Sequence, residues 1–182
     1  MRIGLFLYRF ATWILNPVVW LIMRGRVRKG KEDPETLHAR FAKDLPARPE
    51  GPLVWLHGAS VGESKLCLLV ADKLQSERSD LTFLHTSQTL TGAELIKSDI
   101  AGKPDRIYCP APIDTPPIAK RFAEHWRPDL ALFAEGEIWL NLLHEVRQIG
   151  CKTALINARM TAKSLAGWAR WPKTAKSVFN DF

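Results

Sequence analysis

Five short apolar runs, each separated from the next by a segment with helical patterning, constrain the fold of this chain more than any other feature. The runs lie at residues 53–57, 81–86, 106–109, 129–134 and 152–157, with helical segments at about 62–77, 91–98, 115–125 and 137–148. Apolar residues are continuous in these runs rather than alternating, which is typical of strands buried on both faces. The pattern therefore predicts an α/β fold, a Rossmann-like parallel sheet with helices on both faces.

Two glutamates follow the first and fourth runs. Glu63 comes directly after the small residues that end the first run, and Glu135 stands at the end of the fourth. Ligands of open α/β sheets bind at the carboxyl ends of the strands, and the common strand order 3-2-1-4-5 makes strands one and four neighbours. We therefore expect Glu63 and Glu135 to face the same crevice.

Glu63 has two interpretations. Ser60-Val61-Gly62-Glu63 matches a capping box, in which the serine and glutamate satisfy orphan N–H groups at a helix start, and Thr91-Gly92-Ala93-Glu94 repeats the pattern. The alternative is a general base, since two close carboxylates oppose each other's ionisation and one then becomes a competent base near neutral pH. Spacing alone leaves both interpretations open.

Other polar residues at the strand ends have weaker signals. Glu137 suits the first turn of the next helix, where an acid complements the dipole. Arg159, in Asn157-Ala158-Arg159 after the fifth run, can clamp a phosphate or pair with an acid of the crevice. His57 is a single histidine, which is more often structural than catalytic. The sequence has no nucleophile triad, metal-ligand cluster, GxxxxGK[ST] or GxGxxG, so we expect no metal and no cofactor.

The amino-terminal segment carries all of the net charge. Between Met1 and Lys31 there are seven basic residues and no acid, whereas the remaining 151 residues hold 19 basic and 19 acidic groups. A nucleic-acid binder more often spreads basic residues over its folded face, so we expect an anionic membrane surface as partner and no nucleic acid. The seven are Arg2, Arg9, Arg24, Arg26, Arg28, Lys29 and Lys31.

Residues 3–23 are apolar and long enough to cross a bilayer, although Arg9 and the Asn16-Pro17 pair oppose a span. No small-residue cleavage site follows, which argues against a signal peptide. We predict a membrane anchor, spanning or lying in the interface, with the basic flank on the cytoplasmic side. The alternative is an ordinary core helix.

This patterning divides the chain into three parts. Residues 1–31 form the anchor and its basic flank, residues 32–52 a proline-containing linker, and residues 53–182 the Rossmann-like domain. The linker is expected to contain a short helix that starts at Asp33-Pro34 and runs to about Lys43. The last twenty residues look helical, with an interruption at Pro172. Cys67, Cys109 and Cys151 are odd in number and widely spaced, which predicts buried thiols of a reducing compartment.

Five motifs, in order and spacing, resemble the amino-terminal half of the 3-deoxy-D-manno-octulosonic acid (Kdo) transferases. The hydrophobic start and the basic region that follows it are also similar to that family. The motifs are His57-Gly58-Ala59-Ser60-Val61-Gly62-Glu63, Thr86-Ser87-Gln88-Thr89-Leu90-Thr91-Gly92, Pro110-Ala111-Pro112-Ile113-Asp114-Thr115-Pro116, Glu135-Gly136-Glu137-Ile138-Trp139-Leu140-Asn141 and Asn157-Ala158-Arg159-Met160.

The resemblance implies the two-domain GT-B architecture and transfer of Kdo from the donor CMP-Kdo to a lipid A precursor, in lipopolysaccharide biosynthesis at the cytoplasmic face of the inner membrane. It implies that Glu63 is the catalytic base and that Glu135 is the second acidic position, which supports the transition state. The substrate-binding positions implied by the motifs are Ser60, Gly62, Glu137, Asn157 and Arg159.

The chain departs from the family pattern in two respects. Where the family usually reads Glu-x-Glu-Leu-Trp-Pro-Asn, this chain has Ile138 and Leu140, and loss of the proline changes the first helical turn. The family's nucleotide-binding domain also has no counterpart within residues 1–182, so we expect this polypeptide alone to be inactive and to need a separate donor-binding domain. The rival hypothesis is a non-catalytic, membrane-tethered module that binds a lipid or a partner protein.

Overall fold

A five-stranded parallel sheet forms the centre of the molecule, in the order β3-β2-β1-β4-β5. A computed structural model describes residues 3–136, 138–180 and 182. All four strand pairs are parallel, and the order is the one expected from the sequence. The strands are β1 (Leu53–Gly58), β2 (Thr82–Ser87), β3 (Arg106–Pro110), β4 (Leu130–Ala134) and β5 (Lys152–Ile156).

Eight helices surround or extend this sheet in the described part of the chain. A long amino-terminal helix and a single short turn precede β1, four helices connect the strands, and two follow β5. They are α1 (Ile3–Arg28), α2 (Leu37–Arg40), α3 (Val61–Glu77), α4 (Leu90–Asp99), α5 (Pro116–Trp126), α6 (Leu140–Gln148), α7 (Ala162–Ala169) and α8 (Pro172–Phe179).

Each face of the sheet is covered by its own hydrophobic cluster. Trp55 and Phe133 point to the face where α5 and α6 pack, and Met23 of α1 and Val178 of α8 join that cluster. Leu56 and neighbouring strand residues point to the opposite face, where they pack against α3. The Rossmann-like α/β fold with helices on both faces is therefore confirmed. The break between α7 and α8 falls at Pro172, as expected, because proline at the first helical position starts a new helix.

The helix expected from Asp33 to Lys43 is much shorter than predicted. Only α2 forms, and Asp33 instead closes a turn by accepting a hydrogen bond from the N–H of Glu35. The backbone then enters the left-handed region at Ala42 and Asp44, with φ of 51° and 52°, which ends the helix. Buried Arg40 joins this segment to the residues after β3, since its guanidinium donates to the carbonyl of Ala111 at 2.6 Å.

The repeated capping pattern at Thr91–Glu94 is also corrected. The amino-terminal cap of α4 is Thr89, whose hydroxyl accepts from the N–H of Gly92 at 3.2 Å. Thr91 therefore lies inside the helix, and exposed Glu94 falls beyond the position that a capping box requires. Thr89 and Thr91 are both residues that can cap a helix. The end of the preceding strand, β2, determines that the helix starts after Thr89.

Candidate active site at the carboxyl edge of the sheet

Glu63 and Glu135 lie at the same edge of the sheet. β1 and β4 are adjacent and parallel, with His57 opposite Phe133, so that the segments after both strands leave the sheet side by side. This is the switch point of the strand order, where β1 has β2 on one side and β4 on the other. The structure thus places both sequence-predicted acids where ligands of this fold class bind.

Glu63 closes a variant of the capping box at the start of α3, in which its carboxylate bonds to the N–H of Ala59, the residue before the cap. Ser60 is the amino-terminal cap, its hydroxyl donates to Glu63 Oε1 at 2.9 Å, and the N–H of Glu63 donates back to that hydroxyl at 3.3 Å. Glu63 Oε2 accepts from the N–H of Ala59 at 2.8 Å. A carboxylate has about four lone-pair sites, and these contacts occupy two of them. The half-buried Glu63 therefore keeps acceptor capacity for a further hydroxyl.

Two glycines beside Glu63 have different roles. A side chain at Gly58 would meet the backbone carbon of Glu63 at 2.8 Å and the N–H of Ser64 at 2.9 Å, so the first turn of α3 can pass over β1 only because this residue is glycine. A side chain at Gly62 would meet only Ser60 Oγ, at 4.0 Å. Packing against other parts of the chain therefore does not require Gly62, and the open space there borders Ser60 Oγ, which hydrogen-bonds to the Glu63 carboxylate.

Glu135 and Asn157 stand side by side in an uncommon backbone conformation. Their φ values are 57° and 50°, in the left-handed region that non-glycine residues seldom adopt. The N–H of Glu135 donates to the carbonyl of Ile156 at 2.9 Å, and Asn157 Nδ2 donates to Glu135 Oε1 at 3.5 Å. Left-handed residues outside glycine cluster at functional sites, where the surrounding structure holds them.

Arg159 pairs with an acid of the crevice. Its Nη1 lies 3.6 Å from Glu135 Oε1, while its side chain remains 74 % exposed. Of the two possibilities that the sequence allowed for Arg159, this geometry is the ion pair, and the exposed guanidinium retains donors for an anionic ligand. Glu137, the remaining predicted substrate contact, lies outside the described residues.

A cleft of about 410 Å³ opens next to this pair. Glu135 and Arg159 line its polar side, whereas Leu155, Trp168 and Phe179 line its apolar side. Gly136 permits the approach of the two strand-end loops, because a side chain there would meet the carbonyl oxygen of Arg159 at 3.0 Å. The cleft therefore combines charged groups with an apolar wall.

His57 belongs to a hydrogen-bonded group inside the sheet, which agrees with the structural interpretation of a single histidine. Its ring is buried, and Nδ1 lies 2.8 Å from the hydroxyl of Thr86, which also accepts a hydrogen bond from Trp55 Nε1 at 2.9 Å. The three side chains link β1 to β2 beneath the edge of the sheet. His57 thus supports the site from below.

Asp114 has a structural role that the sequence did not indicate. It lies two residues before α5, which suggests a local cap, yet its carboxylate accepts from the N–H of Leu142 at 2.8 Å and of Asn141 at 3.3 Å. It therefore caps α6, whose own cap residue, Trp139, makes no side-chain cap hydrogen bond. Burial raises the pKa of Asp114, and hydrogen bonds from Tyr8, Leu142 and Asn141 oppose that shift. The loop that carries Glu135 is tethered at its far end by this contact.

Comparison with known proteins assigns the family. Residues 35–182 match the family model described as 3-deoxy-D-manno-octulosonic-acid transferase (kdotransferase). A protein of Arabidopsis thaliana named as a probable mitochondrial 3-deoxy-D-manno-octulosonic acid transferase is 34% identical over 172 residues, which is 93% of this chain and 38% of that protein.

Bacterial relatives with the same name match to a similar extent. The 3-deoxy-D-manno-octulosonic acid transferase of Rickettsia bellii is 33% identical over 90% of this chain and 38% of its own length. That of Chlamydia pneumoniae is 35% identical over 88% of this chain and 35% of its own. The chain therefore spans less than two fifths of the length of these relatives. On the family match and these identities, the chain belongs to the 3-deoxy-D-manno-octulosonic acid (Kdo) transferase family, a family of glycosyltransferases, and corresponds to its amino-terminal domain.

Proposed function

We propose that this chain is the acceptor-binding domain of a Kdo transferase, which transfers Kdo from CMP-Kdo to a lipid A precursor at the cytoplasmic face of the inner membrane. The observation that carries the proposal is the placement of Glu63. Its carboxylate stands at the switch point of the sheet and keeps lone pairs free for a substrate hydroxyl. Its hydrogen-bond partner Ser60 Oγ borders the open space at Gly62. The donor CMP-Kdo is held by a second domain of GT-B type, and the residues of this chain alone are inactive.

Glu63 acts as the general base in this proposal. It takes the proton of an acceptor hydroxyl while the hydroxyl oxygen forms a bond to the anomeric carbon of Kdo, and the bond from that carbon to the phosphate oxygen breaks, so that CMP leaves. The hydrogen bonds from Ser60 and Ala59 hold the carboxylate in one orientation while it waits for the acceptor. Glu135 supports the developing positive charge at the sugar, and Asn157 keeps that carboxylate in place.

The chemistry of the neighbouring cleft supports an amphipathic acceptor. Arg159 is exposed and positioned for an anionic group, such as a phosphate of the acceptor, while Trp168 and Phe179 provide an apolar wall. A lipid with a phosphorylated sugar headgroup has the same combination of charge and apolar surface. The apolar, basic amino-terminal helix is suited to a protein whose acceptor resides in a membrane.

The direct test is Kdo transfer from CMP-Kdo to lipid A precursor in membranes, measured with residues 1–182 alone and with a family donor-binding domain supplied in trans. We expect transfer only in the mixture. Glu63→Gln should lower that rate by about 10²–10⁴-fold, because the variant cannot accept the proton. Glu94→Gln is the matched control, since Glu94 is an exposed helical carboxylate on α4, and its rate should equal that of the unchanged chain.

Two results would contradict the proposal. Equal rates for Glu63→Gln and Glu94→Gln would remove Glu63 from the chemistry. Absence of transfer in every mixture, with the protein folded and bound to the membrane, would favour the non-catalytic lipid- or partner-binding module.

A further inference from the structure

The first five turns of α1 turn a mostly polar face towards the α/β domain and an apolar face away from it. Most of the side chains that face the α/β domain are polar, namely Tyr8, Arg9, Thr12 and Asn16, and each is only partly exposed. The apolar residues Leu5 and Val19 are also only partly exposed, and Val19 packs against the core. The side chains that face away are apolar and between 46 % and 75 % exposed. They are Ile3, Phe6, Leu7, Phe10, Trp13, Ile14, Leu15 and Val18. A helix docked on a water-soluble domain normally has the opposite arrangement.

The polar face is held by buried groups of α6 and of the residues before α5. Tyr8 donates its hydroxyl hydrogen to Asp114 Oδ2 at 2.7 Å. Arg9 Nη2 lies 2.6 Å from Glu145 Oε1, and both side chains are less than one fifth exposed. These contacts fix which face of the helix points outward, because rotation about the helix axis would leave the buried Asp114 and Glu145 carboxylates without these partners.

Two further polar contacts continue the same face along the helix. Asn141 Nδ2 donates to Thr12 Oγ1 at 3.1 Å, and the hydroxyl of Thr115 donates to Asn16 Oδ1 at 2.8 Å. A membrane-spanning helix that left the domain would expose Tyr8, Arg9, Thr12 and Asn16 to hydrocarbon, where unpaired polar groups are costly.

The domain contacts α1 over almost its whole length. Close to the amino terminus, a side chain at Gly4 would meet Thr174 Oγ1 at 2.5 Å, so α8 packs directly on the helix there. Near the other end, Met23 is buried in the cluster that covers this face of the sheet. With a rise of 1.5 Å per residue, the stretch from Gly4 to Met23 is about 29 Å long, roughly the thickness of the hydrocarbon core of a bilayer. If α1 crossed the bilayer as docked, the folded domain would lie in the hydrocarbon beside it.

Charge and composition identify the occupant of the apolar face as an anionic lipid surface. Arg24, Arg28 and Lys29 are exposed at the carboxyl end of α1, and residues 1–31 contain no acid. Trp13 and Trp20 are exposed on the helix, and tryptophan is enriched at the interface between headgroups and hydrocarbon. Two copies of this chain would bring like charges together at the same face, which disfavours self-association.

The amino-terminal end of α1 has a matching surface. A cleft of about 670 Å³ between α1 and α8 is lined by Ile3, Arg170, Trp171 and Lys176, among other residues. Trp171 is 53 % exposed, so the apolar surface of α1 continues onto α8 with basic groups beside it. Basic residues at both ends of one apolar face are suited to a helix whose two ends lie at the same depth in one leaflet.

We infer that α1 lies in the plane of one anionic leaflet, with its polar face docked on the α/β domain and its apolar face in the lipid, and that it does not cross the bilayer. The inference rests on the membrane attachment contained in the proposed function and is independent of the transfer reaction. It specifies how close the candidate site is held to the membrane surface.

Leu7, Ile14 and Leu21 provide the test, because they are exposed, share the outer face and are spaced two turns apart. Each is replaced by cysteine and spin-labelled in the folded chain, whose native Cys67, Cys109 and Cys151 are buried. Label depth is then measured in vesicles of phosphatidylethanolamine mixed with phosphatidylglycerol. We expect the three depths to agree. A spanning helix would instead place Ile14 about 10 Å deeper than the other two, from seven residues at 1.5 Å each, and would overturn the inference.

Partition into the same vesicles provides a second measurement. The double variant Phe10→Ser, Ile14→Ser should bind at least about tenfold more weakly, since two large apolar side chains no longer enter the lipid. Leu69→Ser is the matched control, because Leu69 is 66 % exposed on α3, and its partition should be unchanged. Equal loss in the control, or a concentration-dependent dimer that buries the outer-face labels without vesicle binding, would refute the lipid surface as occupant. Neither assay contains CMP-Kdo or acceptor, so its outcome is separate from that of the transfer test.

Discussion

Gly58 and Gly62 flank the turn before Glu63, and we expect their replacement by alanine to have different effects on stability. Gly58→Ala forces the added carbon against the backbone of Glu63 and Ser64, and we expect a loss of about 1–3 kcal/mol in the free energy of unfolding. Gly62→Ala adds a carbon in open space within α3, so its stability should equal that of the parent or exceed it by up to about 1 kcal/mol. Urea unfolding of both variants measures this difference.

The same two variants carry a functional prediction. In the transfer assay with a donor-binding domain added, Gly62→Ala should lose activity although it is fully folded, because the new methyl group occupies space proposed for the acceptor. Full activity in Gly62→Ala would place the acceptor elsewhere. A destabilised Gly62→Ala would instead show that the glycine serves the backbone.

His85 makes the domain sensitive to acid. The ring is fully buried in β2, neither ring nitrogen has a hydrogen-bond partner among the described residues, and burial lowers the pKa of His85 to about 3, with a smaller contribution from Arg106. The unfolded chain binds a proton at the ordinary value of 6.5, whereas the folded chain does not until about pH 3. Stability is therefore unaffected above about pH 6.5 and falls as the pH drops from there towards 3.

Replacement of His85 by leucine should remove this sensitivity. Between pH 6 and pH 4, the free energy of unfolding of the parent should fall faster than that of His85→Leu by about 1.4 kcal/mol for each pH unit. Chemical denaturation at a series of pH values gives both curves. Parallel curves would mean that the imidazole takes up a proton in the folded state at its ordinary pKa.

At the scale of elements, helix α6 depends on a cap that comes from another part of the chain. Asp114 accepts from two N–H groups at the start of α6 and from Tyr8 of α1, so a single carboxylate joins three segments. Asp114→Ala removes the cap and leaves these donors buried, and we expect a loss of about 2–4 kcal/mol. Thermal or urea unfolding measures the loss. Asp99→Ala is the control, because that carboxylate is exposed on α4, and its effect should be below about 0.5 kcal/mol.

At the scale of the whole molecule, the reactivity of the three thiols measures whether the core is folded. Cys67, Cys109 and Cys151 are free and buried, and burial raises the pKa of each to about 12. At pH 8 the folded chain should react with iodoacetamide about a thousandfold more slowly than the unfolded chain, since the thiolate is the reactive form. All three should become reactive in one step as denaturant unfolds the domain. Rapid labelling of one thiol under native conditions would show that its part of the sheet opens separately.

The sequence by itself determined the framework of this protein. Continuous apolar runs predicted five strands within a residue or two of their observed bounds, and the usual strand order then put Glu63 and Glu135 at one edge. The capping box at Ser60–Glu63 was also predictable, because its partners are three residues apart and the preceding strand sets where the helix begins. Such features depend on local patterning and on a topology rule that many α/β sheets obey.

Only the tertiary structure decided which distant polar groups meet. Asp114 caps α6 from 27 residues away, Tyr8 reaches Asp114 across 106 residues, and Arg9 reaches Glu145 across 136. A buried charged or polar side chain needs a hydrogen-bond partner. The amino-acid sequence does not identify that partner, because the pairing depends on how the helices pack on the sheet. The length and apolar composition of α1 allowed a span or an interfacial helix. The contacts of its polar face with the domain favour the interfacial helix. Those contacts form only when the domain folds against α1, so the sequence could not reveal them.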